Sequence, residues 1–408
     1  MTPQKQSIPA RRDVLITGIG IVSSLGEGLD QHWTALHAAG PNVDNATFAP
    51  YPVHPMVELD LGTQIPKRGD QRQMEPWQRL GTYAAGLALE SAGIKDQPEI
   101  LGRTDMIVSA GGGERDIEAD SAILTDLLKT NEAGLLLNER LSNDLRPTLF
   151  LAQLPNLLAG NISIVHKVTG SSRTFMGEEA AGVDAVRTAH ARVASRQSEI
   201  CLVGGSYNAE RLDMMLLFEL GSYLWREDWV PVWDRIAKGG GLVTGSMGVF
   251  LILEAAEHTE KRGGKPIARL DDVLADRCKR QPGDAVAVAT GQFEALSGRL
   301  GDGPIAVLSG ATGVEPLASE EKAFLDGLAE QGTDLAVRAV GSRIGHGLEA
   351  QFPALVALAA LTVSHGSLFP PLDSTGFEGE TADPVAQALI TAWGHWRGEG
   401  MALVSRAT

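Results

Sequence analysis

Residues 247–275, MGVFLILEAAEHTEKRGGKPIARLDDVLA, contain the alternation that decides the fold class. An unbroken apolar run leads into a charged helical stretch, two glycines and a second apolar run. A continuous apolar run is typical of a strand buried on both faces, and glycine after lysine and arginine is typical of a helix end. A strand, a helix and a strand in succession predict an α/β protein.

The same alternation runs along most of the chain. Because continuous apolar strands that alternate with helices are typical of sheets covered on both faces, we expect largely parallel sheets. The alternation of strands and helices occurs twice and is interrupted near residues 256–266. This predicts two similar α/β halves, residues 1–256 and 257–408. The other predicted strands are 13–22, 104–113, 199–206, 304–313, 335–342 and 400–407, and the clearest predicted helices are 78–94, 283–300 and 316–330.

Residues 114–160 interrupt this rhythm with a helical, leucine-rich stretch that contains no predicted strand. An insertion of this length is typical of a lid, a pocket lining or a subunit contact. The leucines are expected to pack against another surface or to line a pocket.

Composition narrows the function classes. The formal net charge of the 408 residues is -16, which disfavours nucleic acid and anionic membranes as partners. The two cysteines, Cys201 and Cys278, lack metal-ligand spacing, so we expect no disulfide, no metal site, no cofactor and a cytoplasmic location. No apolar run is long enough to predict a membrane span, and ALVALAALTVSHG is interpreted as a buried helix.

Five segments in chain order resemble the bacterial β-ketoacyl-[acyl carrier protein] synthases. They are VLITGIGIVSSLGEGLDQHWTALHAAG, LLAGNISIVHKVTG, GVFLILEAAEHTEKRGGKPIARL, GSRIGHGLEA and LFPPLD. The match covers nearly the whole chain. It implies the thiolase fold, with two related halves in layered sheets, and a dimer.

The resemblance also implies that the catalytic residues of the family are replaced. Counting without gaps from GNISI, and back from CLVGGS, puts the nucleophilic cysteine at Glu179. The first histidine of the family falls near Cys278, the second at Gly310 and the lysine at Gly341. His346 alone keeps its neighbourhood, and the glycine-rich gating loop is altered to contain Trp396, Arg397 and Gly398. We therefore expect no catalytic residue of the family type.

Glu179 itself can be interpreted in two ways. Its carboxylate either imitates a group of the ancestral site or, with Glu178, favours the start of a helix by about 0.3–1 kcal/mol. If buried, it needs a cation, a backbone N–H or water. The candidate cations are Lys167, Arg173, Lys238 and Arg343.

The remaining candidates are expected to be structural. Cys201 lies within a predicted buried strand, where cysteine usually acts as a small apolar residue. Lys279 and Arg280 are expected to lower the pKa of Cys278. His346 is interpreted as a satisfied structural histidine.

These features predict a noncatalytic ketosynthase-like subunit of fatty-acid or polyketide biosynthesis. It would pair with an active ketosynthase, work with acyl carrier protein and help to set the length of the chain. Two alternatives remain open. One is an enzyme with altered chemistry, such as malonyl decarboxylation or hydrolysis, and the other is a homodimeric protein that binds acyl chains or acyl carrier protein.

Overall fold

The computed structural model describes residues 11–38, 40–145, 149, 153–381 and 384–407. Within them, eleven strands form one hydrogen-bonded sheet in the order β4-β3-β5-β6-β1-β7-β11-β10-β8-β9, with β2 paired to β1. The strands are β1 Val14–Ser23, β2 Gly26–Glu27, β3 Asp105–Ala110, β4 Ser172–Met176, β5 Ile200–Tyr207, β6 Met247–Ala255, β7 Ala268–Asp276, β8 Ile305–Ser309, β9 Leu335–Ala339, β10 Gln387–Ala392 and β11 Glu399–Arg406.

The strand order repeats. The first half runs β4-β3-β5-β6-β1 and the second runs β9-β8-β10-β11-β7, so each strand of one half has a counterpart in the other. The directions repeat as well, because β3 pairs in parallel with β4 and β5, and β8 pairs in parallel with β9 and β10. The expectation of two related halves is confirmed, whereas the boundary at residues 256 and 257 stays a prediction.

The expectation of largely parallel sheets is wrong. The centre of each half is antiparallel, since β6 pairs with β1 and β5, and β11 pairs with β7 and β10. The halves join through β1 and β7, which are also antiparallel. A continuous run of apolar residues indicates a strand that is buried on both faces, but it does not indicate the direction of that strand. The sequence pattern therefore could not distinguish a parallel sheet from an antiparallel one.

Helices cover the sheet and pack on strands of both halves. The helix that begins at Glu179, α8, packs on β3, β5 and β7, and the apolar helix α15 packs on β6, β8, β10 and β11. In the described residues the helices are α1 Gly28–Leu36, α2 Arg68–Gln73, α3 Pro76–Ser91, α4 Pro98–Leu101, α5 Ile117–Leu127, α6 Ala133–Asn143, α7 Leu157–His166, α8 Glu179–Ala194, α9 Leu212–Leu220, α10 Val232–Arg235, α11 Ala256–Arg262, α12 Asp284–Ser297, α13 Leu317–Glu330, α14 Gly341–Ile344 and α15 Gln351–His365.

The buried helix predicted near the C-terminus is α15. The stretch Leu348–His365 has the length and apolar composition of a membrane span, but 89% of it is buried inside the protein. The helix packs against strands of both halves, so it is buried all round, and a helix buried all round needs apolar residues on every face.

The predicted helical insertion contains α5 and α6, and its residues 146–148 and 150–152 lie outside the described part of the chain. Its leucines do not all pack inside the protein, because Leu128 is 90% exposed and Leu124 and Leu135 are each about two-thirds exposed. These leucines are therefore available for contact with another molecule.

Candidate functional site

The candidate site is the junction of β4 and α8. Gly177 follows β4 with a positive φ of 148°, Glu178 stands just before the helix, and Glu179 is the first residue of α8. The chain turns sharply here, and the helix begins where Glu178 and Glu179 were expected to favour a helix start. Glu179 is buried, whereas the side chain of Glu178 remains 38% exposed.

Glu179 is bound by two histidines from distant parts of the sequence. Its Oε1 atom lies 2.8 Å from Nε2 of His346 and 2.7 Å from Nδ1 of His395. The same oxygen accepts a hydrogen bond of 2.9 Å from the backbone N–H of His395. One carboxylate oxygen thus satisfies three donors at the point where the helix begins.

The charges of this cluster follow from its geometry. Burial alone would raise the pKa of Glu179, but His395 and His346 hold that pKa well below its ordinary value. A deprotonated carboxylate only accepts hydrogen bonds, so Nε2 of His346 and Nδ1 of His395 both carry hydrogens. Burial lowers the pKa of His395, but Glu179 outweighs burial and the net shift is upward. Glu179 and His395 therefore each favour the charged form of the other.

The loop between β10 and β11 closes over this pair. Gly394 and Gly398 have φ values of 64° and 121°, and they allow the loop to approach the start of α8 closely. A Cβ atom on Gly398 would lie 2.7 Å from the backbone nitrogen of Ala180, so a side chain there would collide with the helix. Of the loop residues predicted to be altered, Trp396 and Arg397 are exposed to solvent. The neighbouring His395 is buried and faces the start of α8.

Aromatic side chains cover His395 on its other faces. Phe218 of α9 and Tyr223 lie edge-on to its ring at centroid distances of 5.2 and 5.1 Å. His395 is 5% exposed, so the pair with Glu179 is largely shielded from water. Shielding strengthens the electrostatic attraction within the pair.

The prediction that a lysine or arginine pairs with Glu179 is wrong. Histidines take that role, and a search for lysine and arginine overlooked them. The four candidates make other contacts: Lys167 donates to the carbonyl of Ile164, Lys238 pairs with Glu227, Arg343 donates to the carbonyls of Ala38 and Pro370, and Arg173 is exposed on β4.

Two positions predicted to replace catalytic residues are crowded glycines. A Cβ on Gly310 would lie 2.9 Å from Cδ1 of Leu355 and 3.0 Å from the carbonyl oxygen of Thr391. A Cβ on Gly341 would lie 3.3 Å from both the carbonyl oxygen of Ala311 and Cγ2 of Val232. Neither position can accept a histidine or a lysine without repacking of its neighbours.

Cys278 does not join the Glu179 cluster. Its Sγ atom donates to Oε1 of Glu399 at 3.0 Å, and Nε of Arg280 lies 2.8 Å from the same oxygen. Arg280 acts to lower the pKa of the thiol, as expected, but burial and Glu399 outweigh it, so the net shift is upward and the expected lowered pKa is wrong. Cys201 is fully buried in β5, as predicted for a small apolar residue.

Another buried carboxyl group, that of Glu349, lies near α8. Its Oε1 atom accepts a 2.7 Å hydrogen bond from the backbone N–H of Gly111, and its backbone carbonyl accepts one from Ser109. Burial raises the pKa of Glu349 to about 8, and Glu178 contributes to the increase. Acidic side chains therefore surround the start of α8 from more than one element.

The two related α/β halves and the helix that begins at a buried turn define a thiolase-like fold. Residues 11–258 match the family model for the β-ketoacyl synthase N-terminal domain. The chain belongs to the β-ketoacyl synthase family.

Individual relatives agree with this assignment. The chain is 23% identical over 272 residues to 3-oxoacyl-[acyl-carrier-protein] synthase 2 of Vibrio cholerae, a match that covers 64% of this chain and 62% of that protein, less than two thirds of its length. It is 27% identical over 381 residues to the tetracenomycin polyketide synthase ketoacyl synthase beta subunit of Streptomyces glaucescens, covering 89% and 88%. The structure of the ishigamide ketosynthase/chain length factor superposes with a TM-score of 0.80 at 20% identity, covering 98% of this chain and 100% of that chain, and it supports the fold.

Sequence reasoning singled out Glu179 and His346, and the structure brings these two together. It missed His395, although GHWRGEG had been identified as an altered loop. The sequence carried one usable signal, because His395 follows a glycine, and Gly394 can adopt a backbone conformation, with positive φ, that turns the next residue inward. Nothing in the sequence indicated that this histidine, and not Trp396, faces the helix.

Proposed function

We propose that this chain is a noncatalytic ketosynthase-like subunit that pairs with an active β-ketoacyl synthase in fatty-acid or polyketide biosynthesis. The observation that carries the proposal is the contact of Glu179 with both His346 and His395. Two imidazoles and a backbone N–H converge on a carboxylate of the protein itself. They are therefore not free to polarise the carbonyl group of a substrate.

Glu179 is also poorly suited to chemistry of its own. A carboxylate cannot form the thioester that a cysteine nucleophile forms with an acyl group. Its pKa is held well below the ordinary value, and a general base works best when its pKa lies near the working pH. These properties count against the alternative in which Glu179 supports decarboxylation or hydrolysis.

The two ends of the sheet support a role for this chain as one half of a pair. The outer strand β9 is covered by its own chain, where Ala339 N–H donates to Oε1 of Glu378 at 2.7 Å. Strand β4, at the opposite end, pairs on one side only within the described residues, and Met176 is 74% exposed. An open edge strand offers backbone groups to a second chain.

Exposed apolar side chains lie at the same end of the molecule. Strands β4, β3 and β5 are parallel neighbours, so the segments that follow them emerge at one edge. Helix α5 follows β3 and α9 follows β5. More than half of the surface of each of these side chains is exposed: Leu124, Leu128, Leu135, Met176, Leu212, Leu216, Leu217 and Leu220. A group of this kind marks an interaction surface.

The names of the relatives fit such a role. One relative is a beta subunit of a ketoacyl synthase, and one structural neighbour is a ketosynthase/chain length factor. We propose an active ketosynthase as the partner across the β4 edge and acyl carrier protein as the carrier of the growing chain. The cytoplasmic location remains a prediction.

An activity assay of the complex tests whether only the partner ketosynthase carries out condensation. With an active ketosynthase partner bound, Glu179→Gln should leave condensation within about threefold of wild type, because the carboxylate does not act on substrate. Replacing the nucleophilic cysteine of the partner by alanine should reduce condensation to background. Loss of turnover in Glu179→Gln, in a complex that remains assembled, would contradict the noncatalytic role.

A further inference from the structure

The turn that carries His346 is held by a buried carboxyl group that the proposed function does not use. Residues 345–350 connect α14 to α15, and they include Leu348, whose φ is 43°. A left-handed conformation is unfavourable for a residue with a bulky side chain, so contacts elsewhere must hold the turn closed. Glu349, the next residue, makes such contacts.

Glu349 connects the turn to the end of β3 through both its main chain and its side chain. Its carbonyl oxygen accepts a hydrogen bond of 2.9 Å from Oγ of Ser109, and its Oε1 atom accepts one of 2.7 Å from the N–H of Gly111. A Cβ atom on Gly111 would lie 2.5 Å from Oε1, and one on Gly182 of α8 would lie 2.6 Å from the carbonyl oxygen of Glu349. The turn is therefore packed closely against both β3 and α8.

The surroundings of Glu349 favour its neutral form. Its side chain is buried, and within the described part of the chain it forms no ion pair. Arg211, just before α9, acts on it only at a distance, because its guanidinium group pairs with Asp213 at 2.6 Å. Glu178 and Tyr207 of β5 are the other titratable groups that interact with Glu349, and Glu178 opposes its ionisation. A buried carboxyl group without a paired cation resists ionisation.

Opening of the turn would return this carboxyl group to water, where its ordinary pKa is 4.5. In the closed turn, burial raises the pKa of Glu349 to about 8. The protonated group therefore contributes stability to the closed turn that is complete below pH 4.5 and is lost as the pH rises through about 8. Between these values opening releases a proton, so a higher pH favours the open turn.

We propose that Glu349 is a proton-dependent latch that holds the turn 345–350 closed while its carboxyl group is protonated and releases the turn when that group ionises. Because the turn contains His346, its release breaks the contact between His346 and Glu179. It also frees Gly111, where the chain leaves β3 towards the helical insertion. The latch therefore links the Glu179 site to the segment that carries the exposed leucines of α5, and it requires no partner chain.

Hydrogen exchange of the backbone amides at pH 6 and pH 8 tests the latch. After correction for the intrinsic exchange rate, peptides covering residues 345–352 and 109–113 give the opening constant of the turn. Glu349→Gln keeps an oxygen that can accept the N–H of Gly111, but it cannot ionise. The ratio of the wild-type opening constant to that of Glu349→Gln should rise about 50-fold from pH 6 to pH 8, as expected for one group whose pKa changes from 4.5 to about 8.

Two further variants complete the comparison. Glu330→Gln, at an exposed glutamate at the end of α13, is the matched control and should open like wild type at both pH values. Glu349→Met is similar in length and also cannot ionise, so it repeats the comparison without the hydrogen bond to Gly111 and serves if Glu349→Gln does not fold. The amides of β6 should keep their protection in all of these proteins.

Two results would overturn the proposal. One is a ratio of opening constants that stays the same from pH 6 to pH 8 for either Glu349 variant. The other is an equal loss of protection in β6, which would show that the whole protein unfolds and that the turn does not open by itself.

Discussion

His395→Ala is expected to destabilise the protein by about 3–5 kcal/mol, because it leaves the buried carboxylate of Glu179 without its principal counter-charge. His346 and the backbone N–H of residue 395 would still contact Glu179, but neither replaces the lost charge. The measurement is the free energy of unfolding from urea titration. His37→Ala, at an exposed histidine of α1's C-terminal end, is the control and should change stability little.

A second substitution isolates the charge. In a Glu179→Gln background no buried carboxylate remains, so His395→Ala should cost distinctly less than in wild type. An equal cost in both backgrounds would show that packing against Phe218 and Tyr223 accounts for the whole effect.

The pH dependence of the same comparison has a defined sign. The raised pKa of His395 contributes stability that is complete below its unfolded pKa of 6.5 and is lost as pH rises through the folded value. The depressed pKa of Glu179 contributes stability above 4.5 that is lost as pH falls through its folded value. The stability difference between wild type and His395→Ala should therefore be largest between about pH 4.5 and 6.5 and shrink towards alkaline pH.

Substitutions on β4 are expected to have the second large effect, on assembly and not on folding. The N–H of Met106 donates to the carbonyl of Ser171, so in the parallel ladder the N–H and C=O of Thr174 face away from β3. Thr174→Pro removes that outward donor, and Met176→Asp puts a charge at a 74% exposed apolar position. Each should weaken association with an active ketosynthase by about 100-fold or more, as expected for the centre of an interface.

Native mass spectrometry and sedimentation of the co-expressed chains measure this effect. Ala323→Asp, at an exposed position of α13, introduces the same charge away from β4 and should leave the complex intact. Circular dichroism should show an unchanged fold in all three variants. Complexes that survive both β4 substitutions would exclude this edge as the contact surface.

Much of the fold could be predicted because continuous runs of apolar residues indicate buried strands. The apolar runs at β1, β5 and β11 are predicted within one residue of their observed bounds, and the run that contains β6 begins at the predicted residue 247. Strand β10 was missed, since its short run QALITA lies among polar and glycine-rich residues that carry no clear period. Strand direction was predicted incorrectly because it depends on pairings between distant segments.

At the site, too, features formed by adjacent residues could be predicted, and contacts between distant residues could not. Glu179 could be located by counting from two flanking motifs, since the turn and helix form from adjacent residues. Its partners lie 167 and 216 residues further along the chain, and only the folded backbone brings them to the carboxylate. A search for lysine and arginine partners failed because histidine becomes a cation only in surroundings that the sequence does not reveal.

The stoichiometry of the chain with an active ketosynthase tests the central claim most directly. The two proteins are co-expressed, purified through a tag on the ketosynthase, and their complex is weighed by native mass spectrometry. The account predicts a stable 1:1 complex that contains one copy of each chain. A chain that remains a homodimer in the presence of the ketosynthase would contradict it.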